Sequence, residues 1–140
     1  MANKSKNIWR ERWLSSINEL TSYDLQRKSW LDTAQSNPHW SFINFMSSYF
    51  DDLLDNNYKS FLDKGWVTSG ELVIIKDWHH ALDTYNPPGN DDYDREAILN
   101  DQKWLEVIRL GVIAKNKLSE MLNEKERQIL VEAIDYLKYI

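Results

Sequence analysis

Apolar residues recur at three- and four-residue intervals along most of the chain. Trp9, Trp13, Ile17 and Leu20 form one stripe over residues 6–20, the spacing of an amphipathic helix. Residues 1–5 are polar and are expected to fray. Thr21 or Ser22 can cap a second helix bearing Tyr23, Trp30, Leu31 and Ala34. Ser36-Asn37-Pro38 then breaks the chain, because proline disfavours a helical conformation in the residue before it. In HWSFINFMSSYFDDLLD, Phe42, Phe45, Met46, Tyr49, Phe50 and Leu53 cover a wide arc, opposite Ser41, Asn44, Ser48, Asp51 and Asp52. That pattern predicts a helix with a broad buried face, its acidic end reaching Asp55. Asn56-Asn57 can interrupt it before Tyr58, Phe61 and Leu62 resume the stripe. Gly65 is placed to end that helix, since the left-handed conformation costs glycine little.

Thr68-x-x-Glu71 is a capping-box pattern opening a helix with Leu72, Ile75, Trp78 and Leu82 inward. Asn86-Pro87-Pro88-Gly89-Asn90 cannot continue it and reads as a stiff loop. Asp94 can cap a short helix through residues 96–99. Over residues 101–123, Trp104, Val107, Ile108, Gly111, Ala114, Leu118 and Met121 share a side, while Leu105, Val112 and Ile113 fall outside it. This predicts a central helix buried on more than one face. A mid-helix glycine costs about 1 kcal/mol relative to alanine, so Gly111 is expected at a close helix crossing. Asn123-x-x-Glu126 starts a last stripe of Ile129, Leu130, Ala133, Ile134 and Leu137. No segment alternates over a strand length and no Asn-Gly or Asp-Gly hairpin signal occurs. The expected fold is all-α: one domain, a bundle of six or seven helices.

Composition changes this picture in two ways. The apolar fraction is 42%, but seven Trp, seven Tyr and four Phe add large rings, each able to remove on the order of 150–250 Å² from water. Cysteine is absent, which removes disulfides, thiolate metal sites and cysteine nucleophiles. No signal-peptide pattern and no run of 18 apolar residues occurs, so a cytoplasmic protein without a membrane span is the expectation. A net charge of −5 argues against nucleic acid as partner, since affinity there comes from cations neutralising phosphates.

The acid is concentrated. Residues 77–106 carry eight carboxylates against Arg95 and Lys103, a local excess larger than that of the whole chain. The same stretch holds His79, His80, Tyr85, Tyr93 and Trp104. Adjacent residues on a helix diverge by about 100°, so His79 and His80 do not converge on one ion. His79 is expected to pack partly buried and His80 to face solvent. A metal-dependent hydrolase using these two with loop carboxylates, Asp77 or His39 is the enzymatic alternative; the zinc-protease spacing is missing. Residues 90–96 offer oxygens for calcium but lack the glycine and glutamate positions of an EF-hand. Four glycines in all leave no phosphate-cradling loop, and no glycine-flanked serine marks a nucleophile. No cofactor is expected. Carboxylates interleaved with aromatics instead suit a basic protein partner, for which charge sets rate and rings supply binding energy. Asp83, Tyr85, Asp91, Asp92, Tyr93, Asp94 and Glu96 are the expected contacts; Trp104 fits the buried stripe better. A helical scaffold module, which would show a large apolar groove, is the further alternative.

The segments NPHWSFINFMSSYFDD, GWVTSGELVIIKDWHHALDTY and NDDYDREAILNDQKW resemble small acidic helical bacterial proteins, the immunity proteins of contact-dependent growth inhibition and related toxin systems. The resemblance spans about residues 22–140 and has no short diagnostic motif. It implies neutralisation of a cognate toxin, often a nuclease, in the cytoplasm. The sign agrees, since a nuclease needs a basic surface for phosphate. No contact residue carries over from it.

Overall fold

The structure is a computed structural model and describes residues 4–53 and 58–139. Among these residues it is all-helical, without strands, and one hydrophobic core runs through it. Eight α-helices follow in order: α1 (Lys4–Thr21), α2 (Tyr23–Trp30), α3 (Phe42–Ser47), α4 (Lys59–Asp63), α5 (Ser69–Asp83), α6 (Arg95–Leu99), α7 (Gln102–Ser119) and α8 (Glu124–Val131). A π-helical turn, Ser48–Leu53, extends α3, and short 3-10 turns lie at Pro88–Asn90 and Tyr136–Tyr139. The bundle is built from α1 against α7 and α8, with α5 against α7.

Local signals set the starts. Ser22, Ser41, Thr68, Asp94, Asp101 and Asn123 each accept a backbone N–H from the first turn of the helix they precede, which satisfies a donor with no intrahelical partner. The Thr68–Glu71 capping box is complete in both directions. Gly65, with φ 74°, ends α4. Its N–H donates to the Leu62 carbonyl and that of Trp66 to the Phe61 carbonyl, the paired bonds of a Schellman ending.

The ends differ more from expectation. Helix α1 already begins at Lys4, inside the segment expected to fray. Helix α2 stops at Trp30, short of Ala34, because the Asp32 side chain accepts the Ala34 N–H and turns the chain. Helix α8 stops at Val131, leaving Ala133 and Leu137 exposed. Here Asn18 Nδ2 donates to the carbonyls of Ile129 and Glu132 at 3.1 and 2.7 Å, taking up acceptors at the helix end. The side chain of Asp52, Asp55 and the Asn56-Asn57 interruption lie outside the described residues.

The central element is α1, not α7. From Trp13 to Thr21 every α1 side chain except Ser15 is buried, including Asn18 and Glu19. Helix α7 buries a single face, Trp104, Val107, Ile108, Gly111, Ala114 and Leu118, and leaves Val112 and Ile113 exposed. Met121 lies past its end and is exposed. The polar groups inside are paired across the chain: Trp104 Nε1 donates to Gln26 Oε1 at 3.0 Å, and Gln26 Nε2 to the Glu19 carbonyl at 3.0 Å. Such pairing offsets what burying these dipoles costs.

Candidate protein-binding surface

The loop between α5 and α6 is held rigidly. Pro87 and Pro88 fix its first half, and Gly89 and Asn90 take left-handed φ values of 63° and 56°, which glycine and asparagine tolerate best. The Asp91 carboxylate accepts the Tyr93 N–H at 2.9 Å, and Asp94 accepts the Ala97 N–H at 3.1 Å to cap α6. Arg95 anchors the turn to the body, its Nη1 donating to the Trp30 carbonyl at 2.7 Å. On this frame Asp91, Asp92, Asp94 and Glu96 are all exposed, and the Tyr93 ring is 79% exposed among them.

Two of the expected contacts sit elsewhere. Tyr85 is half-buried and its hydroxyl donates to Asp101 Oδ2 at 2.8 Å. Its ring packs 5.0 Å from that of Trp104 and 6.0 Å from that of Phe42. Burial and the Asp101 carboxylate both push its hydroxyl above the usual tyrosine range. Tyr85 is a wall of the core, and its polar end is already paired. Asp83 is exposed but borders a different hollow, a groove of about 900 Å³ along the outer side of α5 that includes Leu72, Val73 and Leu110. Trp104 is fully buried, as its place in the stripe implies.

The histidines diverge. His79 turns inward, sharing a 2.8 Å hydrogen bond between its Nδ1 and the Tyr49 hydroxyl, and burial holds its pKa below the ordinary value. His80 is exposed. Among the described residues no three His, Asp or Glu side chains are grouped to hold a metal ion, and none of those helices is long and apolar enough to cross a membrane.

His39 has a role that the sequence did not suggest. Its Nε2 lies 2.6 Å from Glu19 Oε2, a carboxylate buried in α1. The hydrogen bond to Glu19 raises the His39 pKa, against burial, which lowers it. A histidine whose folded pKa is raised adds stability that is complete below its unfolded pKa, about 6.5, and is lost as pH rises through the folded value. The ring is 39% exposed, so screening limits the effect to about 1 kcal/mol or less. Urea midpoints of the native chain and of His39→Gln should therefore differ most near pH 5.5 and converge toward pH 8.5. A gap that widens with pH would refute this pairing.

No protein-family model, no curated protein and no solved structure matches this chain. The functional reading therefore rests on the surface itself. The sequence located the exposed turn but missed Arg95 as its anchor, because nothing local marks a hydrogen bond to a residue 65 positions away.

Proposed function

We propose that this protein is a non-enzymatic inhibitor that binds a basic protein, of the immunity type, neutralising a cognate toxin such as a nuclease. One observation carries the reading: a large aromatic ring stands in solvent on a turn that also carries four exposed carboxylates and that Arg95 ties to the Trp30 carbonyl. An exposed ring gains little from the fold. It gains much on being covered, and a fixed turn loses little entropy when it binds. The acidic rim steers a cationic surface toward it.

The direct test is co-expression with the product of the adjacent upstream reading frame, scored by rescue from toxicity and by co-purification. Asp91 and Asp94 hold the turn's own backbone, so the informative variant leaves them intact. Asp92→Lys with Glu96→Lys and Tyr93→Ala should weaken association about 10–100-fold, and salt should then matter less. Unchanged affinity would take this surface out of the mechanism.

A second reading has its own observation. Val73 is 72% exposed beside the α5 groove, as on a scaffold module that seats an amphipathic helix. Val73→Glu separates the two, because it should leave association through the acidic turn unchanged.

A further inference from the structure

The chain after α8 touches the body without entering it. Asn18 Nδ2 donates to the carbonyls of Ile129 and Glu132 at 3.1 and 2.7 Å, and Lys115 Nζ donates to Asn18 Oδ1 at 3.0 Å, so the chain is pinned as far as Glu132. Beyond that point nothing is buried: of residues 133–139 only Ile134 and Tyr136 are half-buried, and the others are exposed. Two hydrogen bonds fasten the segment. The Tyr136 hydroxyl donates to Asp32 Oδ2 at 2.6 Å, and Asn37 Nδ2 donates to the Tyr139 carbonyl at 3.0 Å, the second in the open. Both latches lie on the link between α2 and α3, where the Tyr136 and Tyr139 rings stand against Trp40 at centroid distances of 5.9 and 6.3 Å. Trp40 itself is buried. We propose that residues 133–139 are a lid that swings out as a unit about Glu132 while the helices stay folded, and that Trp40 is bared each time it does.

The contacts that hold the lid are few. It spans a hollow of about 360 Å³ between its own Ile134 and Tyr139 and, on the body, Glu19, His39 and Trp40. Side chains facing a hollow lack partner atoms on that side and gain little from dispersion. What remains is two half-buried side chains and two hydrogen bonds, which water replaces at small net cost. A segment with few buried apolar contacts and solvent-exposed hydrogen bonds opens well before the whole molecule does. Trp40 does not depend on the lid to stay in place, because its ring also packs on His39 at 4.8 Å and on Phe45 at 6.0 Å. Shut, the lid is itself the occupant of the Trp40 face. It is therefore an autoinhibitory contact, and that face is accessible only while the lid is out. The lid and its latches share no residue with the acidic turn, so its motion stands apart from the function proposed there.

Hydrogen exchange at the indoles tests the lid. The indole N–H groups of Trp30, Trp40 and Trp78 are all buried without an acceptor, so in the full chain labelled with ¹⁵N their rates differ by how each ring is uncovered. The Trp40 N–H should exchange about ten-fold faster than the other two, or more, by local opening. Its rate should change little with low concentrations of urea, because a swinging lid exposes little surface. Trp30 and Trp78 should show the steep urea dependence of global unfolding. Tyr136→Phe keeps the ring and removes the donor to Asp32, and should speed Trp40 exchange about five-fold. A Trp40 rate no faster than those of Trp30 and Trp78, or one with their urea slope, would overturn the lid. A fast Trp40 rate that Tyr136→Phe leaves unchanged would overturn it too, since some other motion would then bare the ring.

Discussion

Arg10→Met should destabilise the protein by about 3 kcal/mol, read as a lowered urea midpoint with unchanged slope. Arg10 lies in α1 with its side chain 11% exposed, and its guanidinium joins three parts of the chain. Nη2 and Nη1 reach the two oxygens of Glu71 at 2.7 and 3.1 Å, Nε reaches Glu126 at 2.6 Å, and Nη1 also donates to the Trp66 carbonyl at 2.7 Å. Glu71 is 3% exposed and its Oε1 closes the capping box on the Thr68 N–H. Without Arg10 that carboxylate stays buried with one N–H for company, and an unpaired buried charge is the costly case. Arg10→Met combined with Glu71→Gln should recover more than half of the loss, since glutamine keeps an acceptor for Thr68 and removes the charge. Strict additivity of the two changes would show that the pair is not coupled.

The same network fixes an acid dependence. Burial alone would raise the Glu71 pKa, but the Arg10 guanidinium and the Thr68 N–H outweigh it and hold it below the ordinary value. A carboxylate depressed in this way adds stability above its unfolded pKa and loses it as pH falls through the folded value. In Arg10→Met the burial is opposed only by the hydrogen bonding to Thr68. The gap between variant and native chain should then narrow on acidification from pH 7 toward pH 4.

The sequence could be read where a signal is local. The capping box at Thr68–Glu71, the glycine stop at Gly65 and the aspartate cap at Asp94 all lie where their residue types place them. Each needs only three or four neighbours to act. The same holds for the exposed turn around Tyr93, whose prolines and charges are adjacent in the chain. Misreadings arise where a distant partner decides. Asn18 ends α8 from more than a hundred positions away, and Asp101 draws in the hydroxyl of Tyr85 that otherwise reads as a docking ring. The segment from Asp32 to Phe42 reads in the sequence as an ordinary break between helices. Only the fold brings it beside Asp92 and Tyr93.

Gly111→Ala should destabilise the protein by roughly 1–3 kcal/mol, against a helix-propensity gain of about 1 kcal/mol. Gly111 sits in the middle of α7 where that helix passes the end of α1 and the flank of α5. A Cβ there would lie 2.6 Å from Thr21 Cγ2, 2.8 Å from Trp78 Nε1 and 3.0 Å from Trp78 Cδ1. Neither neighbour can swing aside. Thr21 is 3% exposed and its hydroxyl is bound to the Ile17 carbonyl at 2.8 Å; Trp78 is 1% exposed with the Tyr49 ring 5.3 Å away. The approach is made by side chains, where a close backbone was the other way to account for a glycine at this point. Thr21→Ser removes the nearest methyl, so adding it to Gly111→Ala should cost less than the separate losses combined. Gly70, an exposed glycine in the first turn of α5, supplies the opposite sign. A Cβ there meets the tip of Met121 at 3.2 Å, on a side chain that is 51% exposed and able to give way, and Thr68 Oγ1 at an ordinary 3.9 Å. Gly70→Ala should therefore stabilise by about 0.4–1 kcal/mol through the unfolded chain. If both alanines stabilise alike in thermal or urea unfolding, α7 does not cross α1 and α5 as closely as these contacts require.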